Sequence, residues 1–340
     1  IIIRSIGKIA GKTRGKDVGA LTLSMIRGEE GNQLKELEEL VSWIKEGDKP
    51  DIICLSNALL IGMSRRLREE LSIPVICLLE GEDTFLDSLP SPEREKSWEE
   101  IQQRVSDVSL FISPSRYYSN VMADRAAIPR ERMVQIYNGI NLEGYNTSPL
   151  PDAPPVLGYF ARLCPEKGLD SLIDAYIIVR NSGSIPNLKL AIGGGCQPMD
   201  KAFVEEQKNK LQKASLLNEV KFEVNIDRQR KLEFYSQLTL LSVPALYGEA
   251  FGLYVVEAMA SGVPIVALND ASFPEMVEET GAGLICKKNS KENLATAIEQ
   301  LLLNPEQLIK HSKAGRTAAA NTFNIQKMAN SYIKQFTNLV

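Results

Sequence analysis

Histidine is nearly absent. The 340 residues hold one, His311, in a polar C-terminal stretch that reads as a surface helix. A Ser-His-Asp triad therefore has no base outside that tail, and a histidine-rich metal centre is excluded. Cysteine is sparse too. Cys54, Cys77, Cys164, Cys196 and Cys286 are odd in number, lack C-x-x-C spacing and lie in or beside apolar runs. This argues against a disulfide framework or a zinc site and predicts buried, reduced thiols in a cytoplasmic protein. No apolar run approaches the ~18–20 residues of a membrane-spanning helix, which leaves peripheral membrane contact open. Excess positive charge is missing: the net charge is −4 and the pI about 5.4, so no global basic field points to nucleic acid. The locally basic Arg4, Lys8, Lys12, Arg14 and Lys16 read as a solvated arm. An Asp-x-Asp motif, which could hold a cation beside a diphosphate, is also lacking, so neither metal nor cofactor is expected.

What remains is ordinary globular material, 44% apolar and 24% charged, long enough for two domains. From residue 51 short apolar runs alternate with helix-period segments. Strands are predicted at 51–55, 74–79, 110–112 and 133–136. Leu59, Leu60, Met63, Leu67 and Leu71, and then Trp98, Ile101, Val105 and Val108, mark helical faces between them. Residues 144–155 hold four prolines and read as a linker. The alternation restarts with strands at 156–161, 188–192, 220–224, 238–243, 264–268 and 283–287. Helical faces include Leu172/Ile173/Tyr176 and Leu294/Ile298/Leu301/Leu302, and the tail carries one more amphipathic helix. Strands separated by helices build parallel sheets. The fold class is α/β: two Rossmann-like domains facing a cleft, at 1–143 and 156–322, with a C-terminal helix at 323–340.

Two segments carry the chemistry. In Gly248-Glu249-Ala250-Phe251-Gly252-Leu253-Tyr254-Val255-Val256-Glu257 a glycine-containing loop leads into a helix. The amides of Phe251, Gly252 and Leu253 would face an incoming anion, with the helix dipole favouring it. Carboxylates do not bind phosphate. Glu249 in the loop and Glu257 in the helix therefore imply hydroxyls on both flanks, as in a ribose-diphosphate-sugar; a capping acid plus a surface acid is the plainer alternative. In Gly158-Tyr-Phe-Ala-Arg162-Leu-Cys-Pro-Glu-Lys167-Gly168 a strand runs into a turn with two cations. They could neutralise a diphosphate, Arg162 as a fork and Lys167 as a point charge; a surface pair of Glu166 with Lys167 is the alternative.

Together with Tyr137-Asn138-Gly139-Ile140-Asn141, LKLAIGGG and FPEMVEETGAGLIC, these segments resemble glycosyltransferase family 4, retaining enzymes of the GT-B fold. The resemblance covers essentially all of residues 50–340. It implies that Arg162 and Lys167 contact the donor diphosphate, with the amides of Phe251 to Leu253 completing that site. It further implies that Glu249 meets the sugar, as the catalytic residue, and Glu257 the ribose. The family commonly places a histidine facing the transferred sugar. Glu80 stands there in Leu79-Glu80-Gly81-Glu82-Asp83 and is the candidate for that contact. The reaction implied is retaining transfer of a sugar from a nucleoside-diphosphate-sugar, a co-substrate rather than a cofactor, to a hydroxyl acceptor whose identity (glycan, lipid or small molecule) is not legible.

Gly7-Lys8-Ile9-Ala10-Gly11-Lys12-Thr13 imitates a P-loop but has Ile6 where the pattern needs glycine. Gly193-Gly194-Gly195 is followed by Pro198 where a dinucleotide fingerprint needs its last glycine. Glu80, Glu82 and Asp83 together read as solvated loop acids rather than a metal site. The rival readings are a non-catalytic binder of nucleotide-sugars or glycans and a nucleotide-sugar epimerase of similar fold. Residues 1–50 supply no opening strand and glycine-rich loop, only a basic, glycine-spaced arm and one helix near 33–46. The N-terminal domain is accordingly expected to lack its first β-α units and to expose a sheet edge.

Overall fold

The computed structural model describes residues 15–145, 154–287 and 290–340. The P-loop imitation and most of the proline-rich linker lie outside the described residues. The chain divides into two compact units. One holds residues up to 136 together with 331–340; the other holds 137–330. The division thus falls at 136/137, ahead of the expected 143/144, and places Tyr137-Asn138-Gly139-Ile140-Asn141 with the second unit. There Ile140 pairs with Asn324, and the Gly139 N–H points at the Met328 sulfur, 3.1 Å away.

In the first unit β1 (Ile53–Leu55), β2 (Val75–Leu78), β3 (Leu110–Ser113) and β4 (Met133–Gln135) form one parallel sheet in chain order. Helices α1 (Gly15–Arg27), α2 (Leu34–Glu46), α3 (Ser64–Leu71), α4 (Glu82–Ser88), α5 (Glu93–Arg104) and α6 (Arg116–Arg125) accompany it. All four predicted strands are present and are the whole of this sheet among the described residues. Helix α1 was not predicted: Gly15 and Gly19 dilute its helical signal. Gly19 is nevertheless suited to its place, because a Cβ there would come within 3.0 Å of Glu93 on α5. On β1 Cys54 is exposed, contrary to the expectation of burial, because it alternates away from buried Leu55 on an edge strand.

Helices α1, α3 and α5 are joined by an ion network. Arg104, 1% exposed, donates to both carboxylate oxygens of Glu29 (2.9 and 2.7 Å) and to the Arg27 carbonyl. Arg65 bridges Glu29 (3.0 Å) to Asp107 (3.1 Å).

The second unit has a six-stranded parallel sheet: β5 (Val156–Phe160), β6 (Lys189–Gly194), β7 (Val220–Val224), β8 (Leu240–Leu241), β9 (Ile265–Ala267) and β10 (Gly283–Ile285). All six predicted strands appear, although β8 keeps two residues of the six expected. The spatial order is β10-β9-β8-β5-β6-β7. The chain winds outward in both directions from β5 and β8, which lie side by side with Gly158 opposite Leu241. Leu172, Ile173 and Tyr176 of α7 (Leu169–Ser182) and Leu294, Ile298 and Leu301 of α11 (Lys291–Leu302) are buried, as their spacing predicts. His311 is not the surface residue its polar context suggests. It is 8% exposed, with Nδ1 2.6 Å from the Gly281 carbonyl. The flanking lysines face water while the ring turns inward, a segregation that composition does not show.

Candidate donor site at the switch of the second sheet

In an open parallel sheet, ligands bind beyond the carboxyl ends of the strands where the winding reverses. Here that point lies between β5 and β8. The loops leaving these two strands are the two segments that carry the chemical signals, 161–168 and 242–252.

Local backbone geometry fixes both loops. After β5, Pro165–Lys167 form one 3-10 turn closed by Gly168 at φ +70°. A Cβ on Gly168 would lie 1.9 Å from the Pro244 carbonyl oxygen, so only glycine lets this turn approach the β8 loop. Gly168→Ala is expected to push the two loops apart and to lower the thermal midpoint of unfolding. Calorimetry with wild type and variant checks this. After β8, Gly252 at φ +87° caps helix α10 (Leu253–Ala260). The N–H groups of Phe251, Gly252 and Leu253 have no acceptor among the described residues, which leaves them available to an anion.

The structure joins Lys167 to Glu249. The ammonium lies 2.6 Å from Oε2, and neither side chain is more than one-fifth exposed. The Lys167 partner is thus Glu249 rather than the adjacent Glu166. Two tyrosines missed in the sequence complete the cluster: Tyr254 donates to the same oxygen at 2.9 Å and Tyr247 at 3.2 Å. Lys167 also lies over the rings of Tyr247 (4.5 Å) and Tyr254 (5.6 Å). Burial, reinforced by the Glu249 charge, pushes both phenols above their ordinary range, so they remain donors.

Arg162 is held apart from this pair. Its guanidinium forks onto Asp200, Nε to Oδ2 at 3.1 Å and Nη2 to Oδ1 at 2.8 Å, while 41% of the side chain stays exposed. Asp200 also accepts from the Gln197 N–H, and Arg162 above all lowers its pKa. Asp200 therefore aims the arginine and leaves Nη1 without a partner among the described residues.

Glu257 forms a third cluster. Lys231 contacts Oε1, Tyr235 donates to Oε2 at 3.0 Å, and burial with the Glu257 charge raises the Tyr145 phenol. Lys231 also lines a cavity of about 400 Å³ with Phe160, Gly194, Gly195, Asn225 and Asp227. None of these partners carried a spacing signal; they converge only once the sheet is folded.

Glu80 lies in the first unit at the carboxyl end of β2 and is exposed. Burial, with the Glu80 charge contributing, raises the Tyr332 phenol to about 12. The expectation of three solvated acids here is wrong for two of them, since Glu82 and Asp83 are 5% and 9% exposed. Glu82 accepts from the N–H groups of Ala58 (2.7 Å), Glu80 (2.9 Å) and Gly81 (3.0 Å) and from the Tyr118 hydroxyl (2.9 Å). One carboxylate thus ties together the segments that follow β1, β2 and β3, a structural use of charge that a loop of acids does not announce.

Comparison with known proteins agrees with this α/β fold of two parallel sheets. Residues 146–318, just over half of the chain, match the family model of glycosyl transferases group 1, and residues 15–143 match that of glycosyltransferase family 4. An uncharacterized glycosyltransferase of Methanocaldococcus jannaschii is 29% identical over 240 residues, 71% of this chain and 62% of the relative. The phosphatidyl-myo-inositol mannosyltransferase of Mycobacterium leprae is 27% identical over 54% of this chain and 48% of its own. The D-inositol 3-phosphate glycosyltransferase of Corynebacterium aurimucosum is 24% identical over 67% of this chain and 56% of its own. The chain thus spans 48 to 62% of the length of these curated relatives. Among solved structures, Anabaena HepE in complex with UDP superposes with a TM-score of 0.75 at 22% identity, over 89% of this chain and 82% of that one. The sucrose-phosphate synthase of Thermosynechococcus elongatus gives 0.74 at 22% identity, over 91% and 79%. Both share the fold. With two parallel α/β units of GT-B type and a family model matched over more than half its length, this chain belongs to the group 1 glycosyl transferases.

Proposed function

We propose that the protein transfers a sugar from a nucleoside-diphosphate-sugar to a hydroxyl acceptor with retention of anomeric configuration. The observation that carries this reading is the Lys167–Glu249 pair beside the free amides at the start of α10, at the switch between β5 and β8. Ammonium and carboxylate neutralise each other at 2.6 Å. An arriving diphosphate draws Lys167 and Arg162 and takes the amides of Phe251 to Leu253. Glu249 is then released to accept from the sugar hydroxyls. Glu257, beside the 400 Å³ cavity, faces the ribose, and the cavity takes the base. The first unit takes the acceptor. The leaving phosphate oxygen receives the acceptor proton, while the protein supplies orientation and charge stabilisation. Among the solved structures named above, HepE in complex with UDP is in keeping with such a donor.

The cations and amides offset the phosphate charge, so transfer should proceed without a divalent metal. Full activity after EDTA treatment is the expected result, and loss restored by magnesium or manganese would contradict it. Screening UDP-, GDP- and ADP-sugars by thermal shift tests the donor assignment. Saturation at 100-fold over Kd should stabilise by about 2.7 kcal/mol, and no shift with any of them would count against it.

A further inference from the structure

The Glu249 carboxylate gathers more donors on one oxygen than that oxygen can use. The Lys167 ammonium at 2.6 Å, the Tyr254 hydroxyl at 2.9 Å and the Tyr247 hydroxyl at 3.2 Å all meet Oε2. A carboxylate offers about four lone-pair sites, two on each oxygen. Oε1 takes no donor among the described residues, although the side chain is only 12% exposed. Three donors on one oxygen and none on the other is a lopsided arrangement. It becomes balanced once the lysine leaves, because two hydroxyls then fill the two sites of Oε2.

We infer that Tyr254, seconded by Tyr247, is a positioning residue that holds Glu249 by Oε2 while Lys167 serves the phosphates, so that Oε1 is the oxygen that meets the sugar. This rests on the donor reading proposed above. The two hydroxyls are not equal. Tyr254 lies within the ordinary hydrogen-bond range and Tyr247 at its long edge. Tyr254 is 8% exposed, packed in the core of the second unit and fixed in the first turn of α10. That same turn supplies the amides assigned to the phosphate, so one turn of helix sets the positions of both the anion and the carboxylate. Tyr247 belongs to the loop and packs only against the margin of the core. Its hydroxyl also contacts the Lys167 ammonium, which lies 4.5 Å from its ring centre, so it is shared between the two charges. Tyr254 is therefore the firmer anchor.

The test follows nucleotide release by the full chain from UDP-glucose, GDP-mannose and ADP-glucose with a panel of hydroxyl acceptors, and titrates UDP and GDP into the same samples. Tyr254→Phe keeps the ring in the core and removes only the hydroxyl. Turnover should fall about tenfold, the size of one hydrogen bond to a charged group, while nucleoside-diphosphate affinity stays within about twofold of wild type. A double-mutant cycle with Glu249→Ala shows whether Tyr254 acts through the carboxylate. In the Glu249→Ala background, Tyr254→Phe should cause no further loss. Losses that multiply would mean a separate role and overturn the inference. Unchanged turnover in Tyr254→Phe, or an equal weakening of nucleoside diphosphate, overturns it as well. Wild-type turnover by Glu249→Ala alone, or no donor consumed by wild type, contradicts the donor reading itself and is thereby told apart from failure of the tyrosine assignment.

Discussion

Lys167→Ala is expected to lower affinity for nucleoside diphosphate and nucleotide-sugar alike by roughly 10–150-fold, the equivalent of ~1.5–3 kcal/mol for a charged contact. The lysine is largely buried, so water cannot replace it. Glu249→Gln should behave differently. Its proposed partner is the reacting sugar, so kcat should fall by at least about 100-fold, the size typical of losing one transition-state contact. Nucleoside diphosphate should bind this variant as well as wild type or better, because Lys167 no longer divides itself between carboxylate and phosphate. Glu257→Gln should instead weaken nucleotide binding. Calorimetry with nucleoside diphosphate and steady-state kinetics with the nucleotide-sugar distinguish the three. A Glu249→Gln enzyme with normal kcat and weakened nucleotide binding would reverse the orientation assigned to the donor.

The largest stability effect is expected at Arg104, far from that chemistry. Arg104→Leu leaves the inward-facing Glu29 and the Arg27 carbonyl without their shared donor. Breaking a buried pair from one side costs about 3–5 kcal/mol, and the Arg65 contact that Glu29 keeps at 3.0 Å places the loss at the lower end of that range. Both tryptophans, Trp43 and Trp98, lie in the first unit, so their fluorescence reports its unfolding selectively. Urea denaturation should show the loss as a lower midpoint; an unchanged midpoint would mean that the network contributes little. The same group sets a pH dependence. Burial pushes the Glu29 carboxyl up, but the Arg104 hydrogen bond and the charges of Arg104 and Arg65 bring it below its ordinary range. A carboxyl lowered on folding stabilises fully above its unfolded value and loses that contribution as pH falls through the folded one. Wild type should therefore exceed Glu29→Gln near neutrality, with the gap closing below about pH 4.

Much of the fold was legible because periodicity is a local property. All ten strands were placed, and buried faces such as Leu172/Ile173/Tyr176 followed from spacing. Helix α1 was not, because two glycines hide a helix that tertiary packing sustains. The pairing of Lys167 with Glu249 was invisible for a different reason. The two are 82 residues apart and meet only because β5 and β8 are neighbours in the sheet. Both loops could be named from sequence; their meeting required the topology. His311 and Glu82 failed in the same direction. A lone polar residue in a polar context reads as solvated, and only the backbone groups brought by distant elements, the Gly281 carbonyl and the Ala58 amide, show it to be buried and bonded.

The central claim is retaining transfer from a nucleotide-sugar. Its most direct test incubates the full chain with the donor that gives the largest thermal shift and a panel of hydroxyl acceptors, and follows the anomeric protons by NMR. The account predicts stoichiometric release of nucleoside diphosphate and a new glycoside with the anomeric configuration of the donor. A glycoside of inverted configuration, an isomerised nucleotide-sugar, or an unaltered donor across the whole panel would contradict it.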